Sequence, residues 1–344
     1  MSGGVDSSVV AALLKKQGYD VVGVFMRFWG ETKEGRETAR NSCCSEGAEE
    51  AARAVAAKLK IPFYVFSYQK EFKLAVVDYF LAEMARGRTP NPCIVCNKKI
   101  KFGMLFQKAL GMGVDFVATG HYARIKRTKN AYQLVKGADR DKDQSYFLYN
   151  LTKQKLANIL FPVGAYKKTE VFQIAKKMRL PFRKDESFDL CFVGNSADNF
   201  LGRHLEMTKG KIMDLHGRSL GEHPGLAYYT IGQRKSLPLP QGPWWVVKKD
   251  TKRNILFVSN REEDLYAKQV VATDINWISG KAPKFPLKVW AKIRYKSEEA
   301  EAQILSRQAR LVVNFKKPQR APTPGQSIVF YNRSGEVLGG GVIM

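Results

Sequence analysis

Ser2-Gly3-Gly4-Val5-Asp6-Ser7-Ser8 stands directly before the apolar run Val9-Val10-Ala11-Ala12-Leu13-Leu14. Small residues let a backbone approach an anion closely, and hydroxyls together with the unpaired amides of a helix start can hydrogen-bond to it, so the string suits a phosphate group. No Gly-Lys-Ser/Thr follows. The string is therefore not a Walker loop, and it lacks the lysine that reaches the terminal phosphates in γ-phosphoryl transfer. A capped helix behind a glycine turn, with no ligand, is the plain alternative.

Thiols form the second group. Gly87-Arg88-Thr89-Pro90-Asn91-Pro92-Cys93-Ile94-Val95-Cys96-Asn97 reads as a loop in which two prolines fix φ on either side of Asn91, so Cys93 and Cys96 are presented on a stiffened segment. A Cys-x-x-Cys pair can also be half of a zinc site, but zinc needs two further ligands, no second pair of this spacing exists, and Cys43-Cys44 would have to fold back to serve. Cys191, in Lys184-Asp185-Glu186-Ser187-Phe188-Asp189-Leu190-Cys191-Phe192-Val193-Gly194, lies far along the chain. Spacing alone cannot bring it to Cys96, and by itself it reads as an inert buried thiol. Gly120-His121-Tyr122 and Asp141-Lys142-Asp143-Gln144-Ser145-Tyr146-Phe147-Leu148 fall where sheet ends open onto a ligand crevice, although His121 alone also fits a packed core histidine.

The elements that must position these residues alternate up to about residue 200. Strands are expected at 21–26, 63–66 and 115–119, with helices at 8–17, 46–60, 70–85, 98–110 and 168–179, the pattern of an α/β parallel sheet with crossover helices. Beyond about residue 205 the helical period fades. β-branched and aromatic runs separated by turn pairs such as His216-Gly217 and Ser334-Gly335 predict an all-β half. Runs at 287–295, 309–315, 327–331 and 337–343 have the spacing of a small barrel, preceded by a β-rich segment near 205–265.

The 344 residues exceed one ordinary core, at ~100–200 residues per domain, and predict two or three domains. Hydrophobic residues at 44% and charged residues at 26% fit a globular chain rather than a disordered one or a coiled coil. Lys and Arg number 57 against 32 Asp and Glu, a net charge of +25 that points to a polyanionic partner, nucleic acid first. The first 60 residues are nearly neutral, with nine basic and eight acidic side chains, so the excess lies beyond them. Five cysteines argue against a disulfide framework and for reduced, reactive or metal-binding thiols. No run reaches the ~18 apolar residues of a membrane helix, and Met1-Ser2-Gly3-Gly4 does not open a signal peptide, so the expected compartment is the cytoplasm.

The opening string is similar to the pyrophosphate loop of ATP-pyrophosphatases, which split ATP into AMP and pyrophosphate to adenylate a carbonyl oxygen. With Thr89-Pro90-Asn91-Pro92, Cys96-Asn97, Ala118-Thr119-Gly120-His121-Tyr122, Lys142-to-Leu148, the Cys191 segment, Gly232-Gln233-Arg234-Lys235 and Thr323-Pro324-Gly325-Gln326, the chain resembles the tRNA-specific 2-thiouridylase family in sequence order over nearly its whole length. That resemblance implies a catalytic ATP-pyrophosphatase domain over 1–200, a small β-rich adaptor over 201–265 and a tRNA-contacting β-barrel over 266–344. It implies ATP and Mg²⁺ as requirements, tRNA as substrate through its wobble uridine, and a sulfur donor such as a cysteine desulfurase or a sulfur-relay protein. By the same resemblance Cys96 is the nucleophile and Cys191 the persulfide carrier, the two ending as a disulfide. The ATP contacts fall on Ser2, Gly3, Gly4, Val5, Asp6, Ser7, Met26 and Gly120. The tRNA contacts fall on Asn91, Pro92, Cys93, His121, Lys142, Asp143, Gln144, Arg294, Tyr295 and Gln326.

The sequence departs from the family pattern twice. The family carries a hydrophobic strand immediately before the loop, whereas this sequence opens at Met1-Ser2, so either the start is late or the sheet has a gap. Cys93 stands where the family commonly has Asp, replacing a carboxylate by a weaker acid. Two alternatives remain at this stage: a 4Fe-4S cluster on Cys93, Cys96 and Cys191 as sulfur carrier, or a truncated tRNA-binding relic without catalysis.

Overall fold

The computed structural model describes residues 1–32, 36–38, 45–128, 131–183, 190–193, 196–240 and 242–344. Its N-terminal unit opens with the helix Val5–Lys16, which buries Val5, Val9, Val10 and Leu14 and places Lys15 and Lys16 in the last turn, where cations favour the helix dipole. Val9 and Val10 share a cluster with Val171 and Ala175 of the helix Lys168–Lys177. Strands Gly23–Arg27 and Phe63–Ser67 pair in parallel, with Gly23 opposite Phe63. Between them runs the helix Glu46–Leu59, capped by Ser45, whose Oγ accepts from the Ala48 amide at 3.3 Å.

A second parallel pair joins Val117–Ala118 to Ile159–Leu160. The α/β class is as expected, but among the described residues the four parallel strands form two separate pairs rather than one sheet. The Met1 amine donates to the Val24 carbonyl beside the first pair, and Gly4 makes a parallel bridge to Arg183.

The cysteine stretch corrects the expectation of a loop. Pro92–Cys96 is helical, continues into the wider-wound Asn97–Leu105 and ends at Gly111. Asn91 is its N-cap, accepting from the Ile94 amide at 3.4 Å, and Pro92 occupies the first turn, where its missing N–H costs nothing. The second proline of the stretch that reads as a stiff loop therefore opens a helix, while Pro90 stays outside it.

The second unit is a four-stranded sheet in the order Ser219–His223, Gly210–Asp214, Ile255–Ser259, Trp245–Asp250, packed on Ile212, Tyr229, Val246, Leu256 and Val258. The third is a closed barrel in the order Tyr266–Trp277, Arg310–Arg320, Ala300–Arg307, Leu287–Lys292, Ser327–Tyr331, Val337–Ile343. It has two strands more than the apolar runs alone predict. The barrel and the first unit share a core that contains Ile94, Phe102 and Tyr146 with Val329, Tyr331 and Val337. Polar bonds pin the seam: Tyr146 Oη donates to Ser327 O at 2.8 Å, Asn276 Nδ2 to Tyr149 O at 2.6 Å, and Thr89 N to Pro324 O at 2.8 Å.

Candidate nucleotide and thiol site

Gly3 has φ +73°, and a Cβ there would sit 2.3 Å from the Ala48 carbonyl oxygen, so the turn before the first helix admits only glycine. Gly4 caps that helix without a side chain, leaving its first amides to whatever binds. Hydroxyls surround the turn: Ser7 Oγ donates to Gly4 O at 3.1 Å and lies 3.2 Å from Ser2 Oγ, while Ser8 Oγ donates to Gly4 O at 2.9 Å. Gly120 packs on the loop from the other side, where a Cβ would lie 3.0 Å from Asp6 Cβ and 3.1 Å from the Ser7 amide.

Asp6 is the charged centre of this turn. Lys168 Nζ donates to both its carboxylate oxygens at 2.7 Å, and Tyr122 Oη donates to Oδ1 at 2.7 Å. Lys168 also lies over the Tyr122 ring, 5.5 Å from its centroid. The sequence offers little sign of this lysine, which is one of several in Lys167-Lys168-Thr169-Glu170. Only its position at the start of an amphipathic helix sets it apart.

Two of the thiols, Cys96 and Cys191, border one core. Cys96 is buried, at 8% exposure, in the cluster of Phe25, Phe72, Phe80 and Phe192, and Met26 and Cys191 pack against the same cluster. Cys93 and Cys191 are half-buried. Phe192, next to Cys191, sits edge-on to Phe72, Phe80 and Phe200, and its carbonyl accepts from the Glu31 amide at 3.3 Å. The Glu31 carboxylate in turn takes Arg203 and His204 of the helix Ala197–His204. Cys191 thus rides on a segment anchored from both sides. Cys43, Cys44, Lys184 to Asp189 and Gly194 lie outside the described residues.

The expected tRNA contacts separate into surface and interior. Lys142 is exposed, but Asp143 is buried at 7% exposure, with its carboxylate accepting from Gly137 N at 2.9 Å, Ser145 N at 3.1 Å and Ser145 Oγ at 2.9 Å. Burial raises the Asp143 pKa above the usual carboxylate value, against those bonds. Gln144 Oε1 accepts from Tyr122 N at 3.1 Å, so Asp143 and Gln144 as placed shape the turn that presents Lys142.

Arg294 Nη2 donates to Ile231 O and Ala321 O, each at 2.8 Å, and to Thr323 Oγ1. It ties the four-stranded unit to the barrel rather than reaching outward. Tyr295 stacks near Phe147 at 4.5 Å, with Lys292 Nζ 5.6 Å from its ring centroid. Gln326 Nε2 donates to Thr89 O at 2.9 Å and braces the stretch that leads to Asn91. His121 Nδ1 lies 2.8 Å from Thr119 Oγ1, and burial, with the Lys101 charge nearby, holds its pKa well below the usual value, so the ring is neutral.

Family models match nearly the whole chain: a tRNA methyl transferase HUP domain over 1–195, a tRNA methyl transferase PRC-barrel domain over 198–260, and an aminomethyltransferase beta-barrel domain over 267–343. A tRNA-specific 2-thiouridylase of Clostridium perfringens is 47% identical over 352 residues, covering 100% of this chain and 96% of that protein. The chain belongs to the tRNA-specific 2-thiouridylase family.

Other 2-thiouridylases are nearly as similar, from a Thermoanaerobacter strain at 45% identity and from Acetivibrio thermocellus at 44%, each match covering 100% of this chain, with 96% and 97% of those proteins. A 2-thiouridylase with a cluster-bound sulfur needs its cysteines gathered. Among the described residues no three His, Cys, Asp or Glu side chains are grouped to hold a metal ion. Mg²⁺ asks for less, because one or two carboxylates suffice when substrate phosphates and water complete its shell. Asp6 is the loop's carboxylate, and a metal there would share its oxygens with Lys168 Nζ and Tyr122 Oη. No helix among the described residues is long and apolar enough to cross a membrane.

Proposed function

We propose that this protein makes 2-thiouridine at the wobble position of tRNA, in the reducing cytoplasm, by adenylating the C2 oxygen and replacing it with sulfur from a cysteine persulfide. Residues 1–200 act as the catalytic domain, 201–265 as an adaptor and 266–344 as the tRNA-contacting barrel. The names of the matching family models speak of methyl transfer, those of the relatives of sulfur transfer. The site favours sulfur: a methyl group carried on a sulfonium donor is already activated and needs no nucleotide loop, whereas a carbonyl oxygen is a poor leaving group until it is phosphorylated.

The observation that carries the reading is the core shared by Cys96, Cys191 and Met26, which also holds Ala48, whose carbonyl packs against Gly3 of the loop. The loop amides, Ser2 and Ser7 hydroxyls and Gly120 backbone cradle ATP, and Met26 lies against the nucleotide. Mg²⁺, held by Asp6, would neutralise charge on the departing pyrophosphate. The uracil O2 attacks the α-phosphorus and pyrophosphate leaves. The outer sulfur of the Cys191 persulfide then adds to C2, and the Cys96 thiolate attacks the inner sulfur. That breaks the S–S bond, sends its electron pair to the sulfur on C2 and expels AMP. Two thiols are oxidised to a Cys96–Cys191 disulfide as the transferred sulfur is reduced, and a thiol reductant reopens the pair. A cysteine desulfurase or relay protein reloads Cys191.

The expected contacts at Asn91, Pro92, Cys93 and His121 face the target base, while Lys142, Tyr295 and the basic barrel hold the anticodon arm. The test is nucleoside mass spectrometry of tRNA incubated with ATP and a persulfide source. Cys96→Ser and Cys191→Ser are each expected to abolish 2-thiouridine with tRNA affinity nearly unchanged. Full activity in either variant overturns the relay.

A further inference from the structure

We infer that the Asn97 side chain selects uracil by accepting the N3–H of the target base. The residue follows Cys96 on the same continuous helix and lies four positions beyond Cys93, so it shares the face of that thiol. It is buried at 5% exposure. Its Nδ2 donates to the Phe147 carbonyl at 3.2 Å, and its Oδ1 is buried with no hydrogen-bond partner among the described residues. A buried acceptor without a donor is destabilising, and such an atom in a site is explained when what binds there supplies the donor.

The amide is anchored, so the vacant atom can only accept. Flipping the group would forfeit the bond to Phe147. Uracil presents N3–H between its two carbonyls, whereas cytosine presents a lone pair at N3. Uracil therefore satisfies Oδ1, and cytosine sets two lone pairs against each other, the arrangement that rejects a wrong ligand most strongly. A hydrogen bond from N3–H also pushes electron density toward O2, the oxygen that must attack the α-phosphate. The carbonyl that fixes the amide belongs to a residue whose ring lies 4.5 Å from Tyr295, so the reading group is tied to the aromatic pair at the seam with the barrel.

The inference rests on the proposed placement of the reacting base beside Cys96. It is tested by pairing enzyme and substrate changes: wild type and Asn97→Ala, each with anticodon stem–loops carrying uridine, 3-methyluridine or cytidine at the target position. Pyrophosphate release and equilibrium binding are both measured. Wild type is expected to lose at least about 100-fold in kcat/KM on 3-methyluridine. Asn97→Ala should lose roughly 10- to 100-fold on uridine yet barely distinguish uridine from 3-methyluridine, because the two changes remove the same bond. Losses that multiply independently overturn the inference, as does wild type binding cytidine as tightly as uridine, a result that needs no variant to fold. A wild type that releases no pyrophosphate with any stem–loop defeats the proposed function instead.

Discussion

Lys168 and Asp6 lie 162 positions apart in sequence, yet the lysine holds both oxygens of the loop carboxylate at 2.7 Å. A triphosphate arriving at the helix start brings more negative charge to Asp6, and Lys168 is the cation beside it. Lys168→Met should raise the KM for ATP by about 10- to 100-fold, the equivalent of a charge-assisted hydrogen bond of ~1.5–3 kcal/mol. Pyrophosphate release at varied ATP measures this, and tRNA affinity should be unmoved. A second prediction concerns pH. His121 and His223 both have pKa values lowered by burial, His121 further by the Lys101 charge, while the Asn254 carbonyl partly offsets the effect at His223. In the folded protein these rings stay neutral at a pH where the unfolded chain protonates them. Their contribution is fully present above the unfolded value near pH 6.5 and is lost as pH falls below it. The urea midpoint should fall between pH 6.5 and 5, and His121→Gln should flatten that slope without removing it, since His223 remains.

The helix Pro92–Cys96 shows why some elements can be read from the chain and others cannot. Asn91 accepts from Ile94 N and Pro92 fills the first turn, so Asn91→Ala should cost roughly 1 kcal/mol of stability and Asn91→Ser much less, as read from chemical denaturation. The same Asn-Pro pair is a turn signal in sequence, and nothing local distinguishes a turn from a capped helix that is only then packed through Ile94 into the core shared with the barrel. The pyrophosphate turn is legible because its demands are local: a positive φ at Gly3, small residues, and an apolar helix behind them. Two barrel strands escape because exposed Lys268 and Gln269 in Tyr266–Trp277, and Glu301 and Gln303 in Ala300–Arg307, break up the continuous apolar runs by which the other strands are read. Partners distant in sequence, such as Lys168 for Asp6 or the Cys191 segment for the Cys96 core, leave no periodic trace. Only the resemblance of ordered motifs links the two cysteines before the fold sets both against one core.

The net charge of +25 acts over the entire molecule, and steep salt dependence of tRNA binding is its expected mark. With roughly 6–10 phosphate contacts, affinity should fall by about 10³–10⁵ between 50 and 200 mM salt. Which cations take part is decided by placement. Arg294 is turned inward, where burial, and then the Arg320 charge, lowers its pKa, and its Nη2 is spent on Ile231, Ala321 and Thr323. A guanidinium in that position joins the four-stranded unit to the barrel, and we expect it to neutralise no phosphate. Arg294→Met should therefore leave the slope of log affinity against log salt unchanged while loosening the joint by about 1–3 kcal/mol, since Ile231 O and Thr323 Oγ1 lose this donor while Ala321 O keeps that of Thr323 Oγ1. Calorimetry should then resolve the four-stranded unit as an earlier transition. Were the arginine instead in contact with tRNA, the slope would drop by about one and the melting profile would stay intact. An alanine at exposed Lys142 is the internal control, because it should lower the slope without touching the melt.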